Sequence, residues 1–508
     1  MVYDHKQIEA KWNKVWRDRK IYQPDLAIAK KPFYNLMMFP YPSAEGLHVG
    51  NMYAFTGADV YGRFKRMSGY DVFEPIGLDG FGIHSENYAL KVGKHPAEQA
   101  KVSEAHFYDQ LSKIGNGFAW DNRLETYDPE YYRWTQWLFV KMFKAGLAYR
   151  GKAMVNWCPS CKTVLADEQV EAGVCERCKT EVVKKEMEQW FFKITAYADR
   201  LLANLEKIDW PKKIKVAQRN WIGRSEGHVI RWQIADGRSQ IDTFTTRVDT
   251  LLGVTFLAVG EGQKGGYHVI HPVTGEEIPV WAADYVVTDY GTGAVMGVPA
   301  SDERDRAFAK EHGLEVRQFK PFTLYGEKFI KPEVRYHLRD WLISRQRYWG
   351  PPIPMIWCEE CQWQPVSEED LPVLLPEVKD WKPSGDGQSP LQKAPQGWLE
   401  VDCPKCGKKG RRETDVSDTF LDSAWYFLRY PSTHSVRSRQ VPFDPKITRT
   451  WLPVDAYIGG AEHAVLHLLY SRFVWMALKD WGYLKGIDSD EPFPFLFSHG
   501  LIIKDGDK

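Results

Sequence analysis

The sequence predicts an α/β protein built on a parallel sheet, interrupted by cysteine-rich knuckles and by a β-rich insertion. Three observations predict this fold class. Strand, loop, helix and strand patterns follow one another between residues 33 and 76, eight cysteines fall into four Cys-x-x-Cys pairs, and residues 228 to 330 are rich in strand and turn signals. Because 508 residues exceed what one hydrophobic core supports, several domains are expected.

The composition is that of an ordinary globular protein, with 44% hydrophobic and 26% charged residues. No apolar run approaches the ~20 residues of a membrane helix, so no membrane partner is expected. Lys plus Arg equals Asp plus Glu at 67 each, and this balance neither indicates nor excludes nucleic acid. The amino terminus lacks the apolar core of a signal peptide, and paired cysteines suit a reducing compartment, so a cytoplasmic location is expected.

The first βαβ unit locates the expected site. FYNLMMF at 33 to 39 reads as a buried strand, 48 to 67 as a helix closed by Ser68-Gly69, and DVFEPI at 71 to 76 as the next strand. Ligands of such units bind beyond the carboxyl ends of the strands, which here are residues 38 to 51 and 77 to 87. His48, Gly50 and Asn51 at the start of the helix suit the phosphates of ATP, although the string alone fits a plain helix cap equally well.

The rest of the chain divides into predicted segments. A helix is predicted over 129 to 150, and the strand and helix alternation that resumes at 411 is expected to complete the sheet begun at residue 33. The predicted boundaries are an amino-terminal helix with the first half of the α/β domain (1–157), a zinc knuckle (158–185), a return to the α/β domain and a linker (186–227), a β-rich domain (228–330), a linker (331–357), a second cysteine-rich insertion (358–410) and the second half of the α/β domain (411–508).

The cysteines form two sets. Cys158, Cys161, Cys175 and Cys178 have the spacing of a tetrahedral four-thiolate Zn²⁺ knuckle. In the second set, 41 residues separate the Cys358/Cys361 pair from the Cys403/Cys406 pair, so zinc binding there requires closure over an inserted loop. Four thiolates leave no open coordination position, and both sets therefore indicate structural rather than catalytic zinc.

FPYPSAEGLHVGN, followed by YGRFKRMSGYDVFEPIGLDGFGIHSENYA, resembles the HIGH region of class I aminoacyl-tRNA synthetases, and GLDGFGIHSEN is typical of the bacterial leucyl enzymes. The resemblance covers nearly every residue and implies a Rossmann-type catalytic domain. It implies that His48 and Asn51 are catalytic and bind ATP together with Gly50. It further implies that Asp79 binds the ammonium of leucine in a site lined by Met38, Phe39 and Tyr41.

DAYIGGAEHAVLHLLYSRF at 455 to 473 carries two histidines four positions apart on one helix face. The spacing alone would also fit a metal pair, but no third ligand is apparent. The resemblance instead puts Gly460, Glu462 and His463 against the adenosine of ATP and His467 at the leucine side chain.

The β-rich insertion carries TTRVDT at 245 to 250 and GTGAVM at 291 to 296, the latter leading to Asp302 and Asp305. Strand packing would explain such Thr and Val residues. The segments also resemble the editing domain shared by leucyl, isoleucyl and valyl synthetases, in a shorter form. By that resemblance Asp305, with Asp302 nearby, anchors the amino group of a mischarged residue, Thr245 and Thr246 position ester and water, and Thr250 blocks leucine. One methylene discriminates substrates by only ~1 to 3 kcal/mol, so a second hydrolytic site is needed.

The function implied by the resemblance is ligation of leucine to tRNA(Leu) with ATP and Mg²⁺, followed by hydrolytic editing. Arg339, Arg345 and Arg347 suit an RNA backbone, with ordinary surface charge as the alternative. Two rival functions are a stand-alone editing hydrolase and a tRNA-binding module without catalysis. SHGLIIKDGDK resembles the segment before the KMSKS signature, with Lys508 as its first residue. A second chain carrying KMSKS and an anticodon-binding domain is therefore one expected partner, and a truncated reading frame is the alternative.

Overall fold

A computed structural model describes residues 3–41, 46–260, 263, 265–286, 292–433, 435 and 439–500. The chain forms two compact units, one of residues 1–218 and 340–508 and one of residues 219–339. Within the described residues, no helix combines the length and apolarity required to cross a bilayer. The helices, in chain order, are α1 (His5–Asp18), α2 (Val49–Met67), α3 (Ile83–Val92), α4 (Pro96–Ile114), α5 (Pro129–Lys144), α6 (Ala198–Asn204), α7 (Lys212–Ile222), α8 (Glu303–His312), α9 (Gln396–Leu399), α10 (Thr419–Ser423), α11 (Tyr426–Arg429), α12 (Pro445–Trp451) and α13 (His467–Asp480).

The strands divide between the two units. Before the second unit come β1 (Pro32–Met37), β2 (Asp71–Phe73), β3 (Ala148–Cys158), β4 (Thr163–Leu165), β5 (Val170–Glu171), β6 (Val174–Cys175) and β7 (Val183–Phe192). The second unit contains β8 (Ser225–Ile234), β9 (Gln240–Thr245), β10 (Phe256–Val259), β11 (Tyr267–Ile270), β12 (Glu277–Ala282), β13 (Ala294–Gly297) and β14 (Ile330–Arg335). After it come β15 (Trp341–Leu342), β16 (Ser344–Arg345), β17 (Met355–Cys358), β18 (Gln362–Pro365), β19 (Glu400–Asp402), β20 (Lys409–Arg412), β21 (Val416–Ser417), β22 (Ala456–Gly460) and β23 (Leu496–His499).

The central sheet of the first unit has the order β2-β1-β22-β23, and all its strands are parallel. Asn35 to Met37 of β1 pair with residues 456 to 458 of β22, so the sheet begun near residue 33 is completed by the last part of the chain, as predicted. Helix α2 follows β1 and packs its Ala54, Phe55 and Ala58 on the sheet. The fold is therefore the predicted parallel-sheet α/β class.

Helix α5 ends earlier than predicted. It stops at Lys144, and β3 starts at Ala148, so the helix predicted to reach residue 150 is wrong in its last turn and a half. Gly146 adopts a φ of +70°, and its amide bonds to the carbonyl of Phe143. A glycine in this left-handed conformation closes a helix, and it leaves Ala148 onward free to pair with β7.

The second unit is β-rich, as its sequence predicts. Its seven-stranded sheet has the order β13-β10-β12-β11-β8-β14, and β9 pairs antiparallel with residues 228 to 233 of β8. Side chains buried between these strands and the turns around them form one core, which includes Trp232, Leu257, Val280 and Met296. The Thr-rich and Asp302-containing segments follow β9 and β13, so this sheet positions both.

Candidate functional site

A cavity of about 440 Å³ lies at the carboxyl ends of β1 and β22. Parallel α/β sheets bind ligands at this edge. The residues lining the cavity come from the segment after β1, from α2, from the turn after β22 and from the end of β23; they are Met38, Phe39, Pro40, Tyr41, His48, Val49, Gly50, Asn51, Tyr53, Ala54, Phe55, Ile458, Gly459, Gly460, Glu462, His463, His499 and Gly500. Nine residues assigned to ATP or leucine from the sequence thus share one cavity. Residues 42 to 45 of the preceding loop lie outside the described part of the chain.

His48 and Asn51 form the amino-terminal end of α2. His48 is the extended residue before the helix, and its backbone N–H donates to Asn51 Oδ1 at 3.3 Å. The cap interpretation of this string is therefore correct, and the same two side chains also line the cavity. The amide oxygen of Asn51 is engaged by the cap, so its Nδ2 group is the part suited to donate to a ligand.

Asp79 is buried beside this cavity but is not among the residues that line it. Its Oδ1 accepts hydrogen bonds from the hydroxyls of Thr126 and Thr419, both at 3.1 Å. Burial raises the pKa of Asp79 to about 7, with the two hydroxyls opposing the rise and Asp418 adding to it. Neither threonine was singled out from the sequence, although both hold the carboxylate of Asp79.

Aromatic rings surround the predicted leucine site. Phe39 stacks on Tyr426, with ring centroids 4.4 Å apart and an interplanar angle of 2°. Tyr41 stacks on His84 at 5.0 Å. His467 is buried, and burial lowers its pKa to about 3, with His463 adding to the effect. Its ring is therefore neutral at physiological pH. Tyr426 was not identified from the sequence, because a buried tyrosine in an apolar string does not by itself indicate a ligand.

Both cysteine sets are assembled. In each, the four Sγ atoms lie within 4.8 Å of one another. Cys158 Sγ lies 3.4 Å from Cys178 Sγ, and Cys358 Sγ lies 3.6 Å from Cys406 Sγ. Ligands at the Zn–S distance of ~2.3 Å in a tetrahedron would be about 3.8 Å apart, so both donor sets fit Zn²⁺. The long separation in the second set is bridged because the β19–β20 hairpin pairs with β17.

The second unit carries the residues assigned to editing. Thr245 ends β9, and its Oγ1 accepts from the backbone N–H of Arg247 at 3.0 Å. Thr246 follows it, and the buried Thr250 donates its hydroxyl to the carbonyl of Arg247 at 2.7 Å. Both short bonds tie the side chains to the turn that leaves the strand. Gly291 of the GTG segment lies outside the described residues.

Asp302 and Asp305 differ in what their carboxylates do. Asp302 caps α8, since its Oδ1 accepts from the backbone N–H groups of Arg304 and Asp305 at 3.0 Å each. Asp305 is buried and its Oδ2 accepts from Val298 N–H at 2.8 Å, whereas its buried Oδ1 has no hydrogen-bond partner. Burial raises the pKa of Asp305. Asp305 Oδ1 is therefore the acceptor suited to a ligand, and Asp302 has a structural role as a helix cap.

The assignment of Arg345 and Arg347 to an RNA-binding surface is wrong. Arg345 is buried against Asp418 at 2.9 Å. Arg347 is buried between Glu86 at 3.1 Å and the carbonyl of Cys161 at 2.6 Å. Both guanidinium groups are used inside the protein, so neither is available to a phosphate. The periodicity of RDWLISRQRYWG does not reveal this, because the acidic partners lie far away in sequence.

Two family models match this chain. The family model described as "tRNA synthetases class I (I, L, M and V)" matches residues 11–239 and 311–508. A second model, "Leucyl-tRNA synthetase, editing domain", matches residues 219–264 and 259–321. The chain thus has the fold of a class I aminoacyl-tRNA synthetase. Within that class, the second model indicates the synthetases specific for leucine.

Similar proteins agree with this assignment. The leucine--tRNA ligase of Caldanaerobacter subterraneus subsp. tengcongensis is 45% identical over 98% of this chain and 69% of its own length. That of Thermotoga maritima is 44% identical over all of this chain and 70% of its own length. The crystal structure of the Agrobacterium radiobacter K84 agnB2 LeuRS-tRNA-LeuAMS ternary complex superposes with a TM-score of 0.90 at 38% identity, over 98% of this chain and 68% of that one. The chain belongs to the leucyl-tRNA synthetase family.

Proposed function

We propose that this chain activates leucine with ATP, transfers it to tRNA(Leu) and hydrolyses mischarged tRNA(Leu). The observation that carries the proposal is the cavity at the carboxyl ends of β1 and β22, which is lined by His48 and Asn51 from the start of α2 and by Glu462 and His463 from the turn after β22. In the first step the leucine carboxylate attacks the α-phosphorus of ATP and pyrophosphate leaves. In the second step the terminal ribose hydroxyl of the tRNA attacks the carbonyl carbon and AMP leaves.

Leucine binding rests on Asp79. Thr126 and Thr419 both donate to Oδ1, which leaves Oδ2 for the α-ammonium group of leucine. An ammonium beside the buried carboxylate would favour its charged form and lower its raised pKa. Met38, Phe39 and Tyr41 would surround the amino acid near its backbone, and His467 would lie at its side chain.

ATP binding rests on two groups of residues that line the cavity, one at the start of α2 and one after β22. The amino terminus of α2 carries a partial positive charge, and His48, Gly50 and Asn51 lie where it would face the phosphates. Gly460, Glu462 and His463 would contact the adenosine. Mg²⁺ bound with ATP would neutralise phosphate charge, so that positioning and charge neutralisation supply most of the rate.

Zinc at both cysteine sets would be structural. When bound, it would close each set of four thiolates and hold two hairpins together. Leaving no open position, it would take no part in the transfer of leucine.

Editing rests on the second unit. Asp305 Oδ1 accepts no hydrogen bond within the described residues and lies 3.8 Å from Arg304 Nε. It would accept a hydrogen bond from the amino group of a mischarged residue. Thr245 and Thr246 would position the ester and the attacking water, and Thr250 would exclude leucine. Asp302 would contribute by capping α8 and so holding Asp305 in place.

Reciprocal variants test the two activities. Asp79→Ala is expected to abolish leucine-dependent ATP–pyrophosphate exchange and leave deacylation of mischarged tRNA(Leu) intact. Asp305→Ala is expected to do the reverse, so each variant is the control for the other. Deacylation by the unmodified chain without any exchange or leucine binding would favour the editing hydrolase. An unmodified chain that binds tRNA but shows neither pyrophosphate exchange nor deacylation would favour the non-catalytic tRNA-binding module.

A further inference from the structure

Three buried aromatic side chains form a continuous chain of hydrogen bonds beneath β1 and β22. The hydroxyl of Tyr426 donates to the carbonyl of Met37 at 3.0 Å, the hydroxyls of Tyr426 and Tyr457 lie 2.8 Å apart, and the Tyr457 hydroxyl lies 2.6 Å from His467 Nε2. All four residues are almost fully buried. Each hydroxyl has one hydrogen to donate. The group at the end of this hydrogen-bond chain therefore fixes which atom donates and which accepts at every step.

That end is the Met37 carbonyl, which can only accept. It therefore takes the single hydrogen of Tyr426, and the oxygen of Tyr426 must accept from Tyr457. Tyr457 has then used its own hydrogen, so its oxygen accepts from His467 and the ring carries a hydrogen on Nε2. The reverse order would oppose oxygen lone pairs at 3.0 Å between Tyr426 and Met37, with no donor between them.

The other ring nitrogen is also occupied. His467 Nδ1 lies 3.4 Å from Ser471 Oγ, which can donate to it. The ring is neutral because burial lowers its pKa to about 3. With Nε2–H directed at Tyr457 and the Nδ1 lone pair directed at Ser471, the imidazole has no polar group left for a ligand.

We propose that Tyr457 is a positioning residue which holds His467 as the Nε2–H tautomer, so that the leucine side chain meets only apolar surface at this ring. The proposal rests on the proposed function of this site. Tyr426 connects the hydrogen-bond chain to the proposed leucine site, because its ring stacks on Phe39 and its centroid lies 6.0 Å from that of His467. Asparagine has nearly the shape of leucine, and its amide would find no partner at such a ring. Discrimination against it therefore depends on the Tyr457 hydroxyl.

The test compares two ligands that differ only in the side chain, the sulfamoyl-adenosine analogues of leucyl- and asparaginyl-adenylate, by calorimetry on the full chain. In Tyr457→Phe, His467 Nε2–H loses its acceptor and becomes available to the ligand amide. The dissociation constant of the asparaginyl analogue divided by that of the leucyl analogue is expected to fall at least tenfold. Tyr430→Phe is the matched control, because Tyr430 is buried in the same aromatic cluster and takes no part in the hydrogen-bond chain. It should leave the ratio unchanged.

A second measurement reads the tautomer directly. Nitrogen-15 NMR of the chain labelled in its histidine rings, with the His467 signals assigned by their loss in His467→Gln, should show the hydrogen on Nε2. A hydrogen on Nδ1, or equal weakening of both analogues in Tyr457→Phe, would overturn the proposal. An unmodified chain that shows Nε2–H but binds neither analogue would instead contradict the proposed function and support the tautomer.

Discussion

Replacing Asp79 by asparagine should have opposite effects on leucine binding and on protein stability. The substitution keeps the shape of the side chain and an oxygen that can accept from Thr126 and Thr419. It removes the charge proposed to face the leucine ammonium. Losing one partner of a buried ion pair costs about 3 to 5 kcal/mol, which corresponds to a roughly 150- to 5,000-fold weaker dissociation constant for leucine.

The stability effect follows from the pKa of Asp79, which burial raises from 3.8 to about 7. Between these values the folded protein holds a proton that the unfolded chain has released, so stability falls as the pH rises through this window. Above pH 7 the buried charge destabilises the fold by about 4 kcal/mol at most. Asp79→Asn removes this cost and should be more stable than the unmodified chain at pH 8. The difference should disappear below pH 4.

Calorimetric titration with leucine at pH 8 and urea denaturation across this pH range would measure both effects. Asp109→Asn is a suitable control, because Asp109 is an exposed carboxylate on α4 paired with Lys113. It should change neither quantity. Leucine binding within tenfold of normal in Asp79→Asn, or lower stability at pH 8, would refute the reasoning.

Three further predictions follow from the described contacts. Cys158→Ser and Cys403→Ser should each lower the zinc content of the chain by one of two equivalents in elemental analysis, and unchanged content in either would contradict the corresponding site. Burial lowers the pKa of His271, whose Nε2 contacts the Leu251 carbonyl at 2.9 Å, so the free energy of unfolding should fall as the pH drops below 6.5. In His271→Gln, denaturation should depend less on acid pH. An identical pH profile of stability in the variant and the unmodified chain would count against this. Arg472→Met should destabilise the chain by about 3 to 5 kcal/mol in urea denaturation, because it leaves the buried Glu491 unpaired. Adding Glu491→Gln to this variant should restore part of the lost stability. If the losses of the two substitutions simply add, the ion pair does not contribute as argued.

Local patterns predicted the parallel sheet and the β-rich unit, because each depends on neighbours in sequence. Most of the cavity-lining residues were expected from the family resemblance instead. His48 and Asn51 are three positions apart, and a helix start is enough to place both. The partners of Asp79 are different, since Thr419 lies 340 residues further along the chain. Likewise, the acidic groups that bury Arg345 and Arg347 come from distant segments. Without the tertiary structure, such arginines look like exposed cations.

The role of Asp302 illustrates a second limit. Asp302 and Asp305 lie in one short acidic motif, and sequence alone assigns both to the same site. The structure separates them by geometry, since a residue preceding a helix turns its carboxylate toward the backbone N–H groups of the first turn. Which of two neighbouring carboxylates remains available to a ligand is decided by where the helix begins.

The pairing of β8 with β14 allows the length of the second unit to vary. The second unit starts and finishes on these two neighbouring antiparallel strands, with Ser225 opposite Arg335. The distance between the ends of the insertion is therefore set by the strand pair and not by the length of chain between them. Segments inside can be lost or gained at small entropic cost. A two-strand junction of this kind allows the unit to be replaced by an insertion of another length while both ends stay paired.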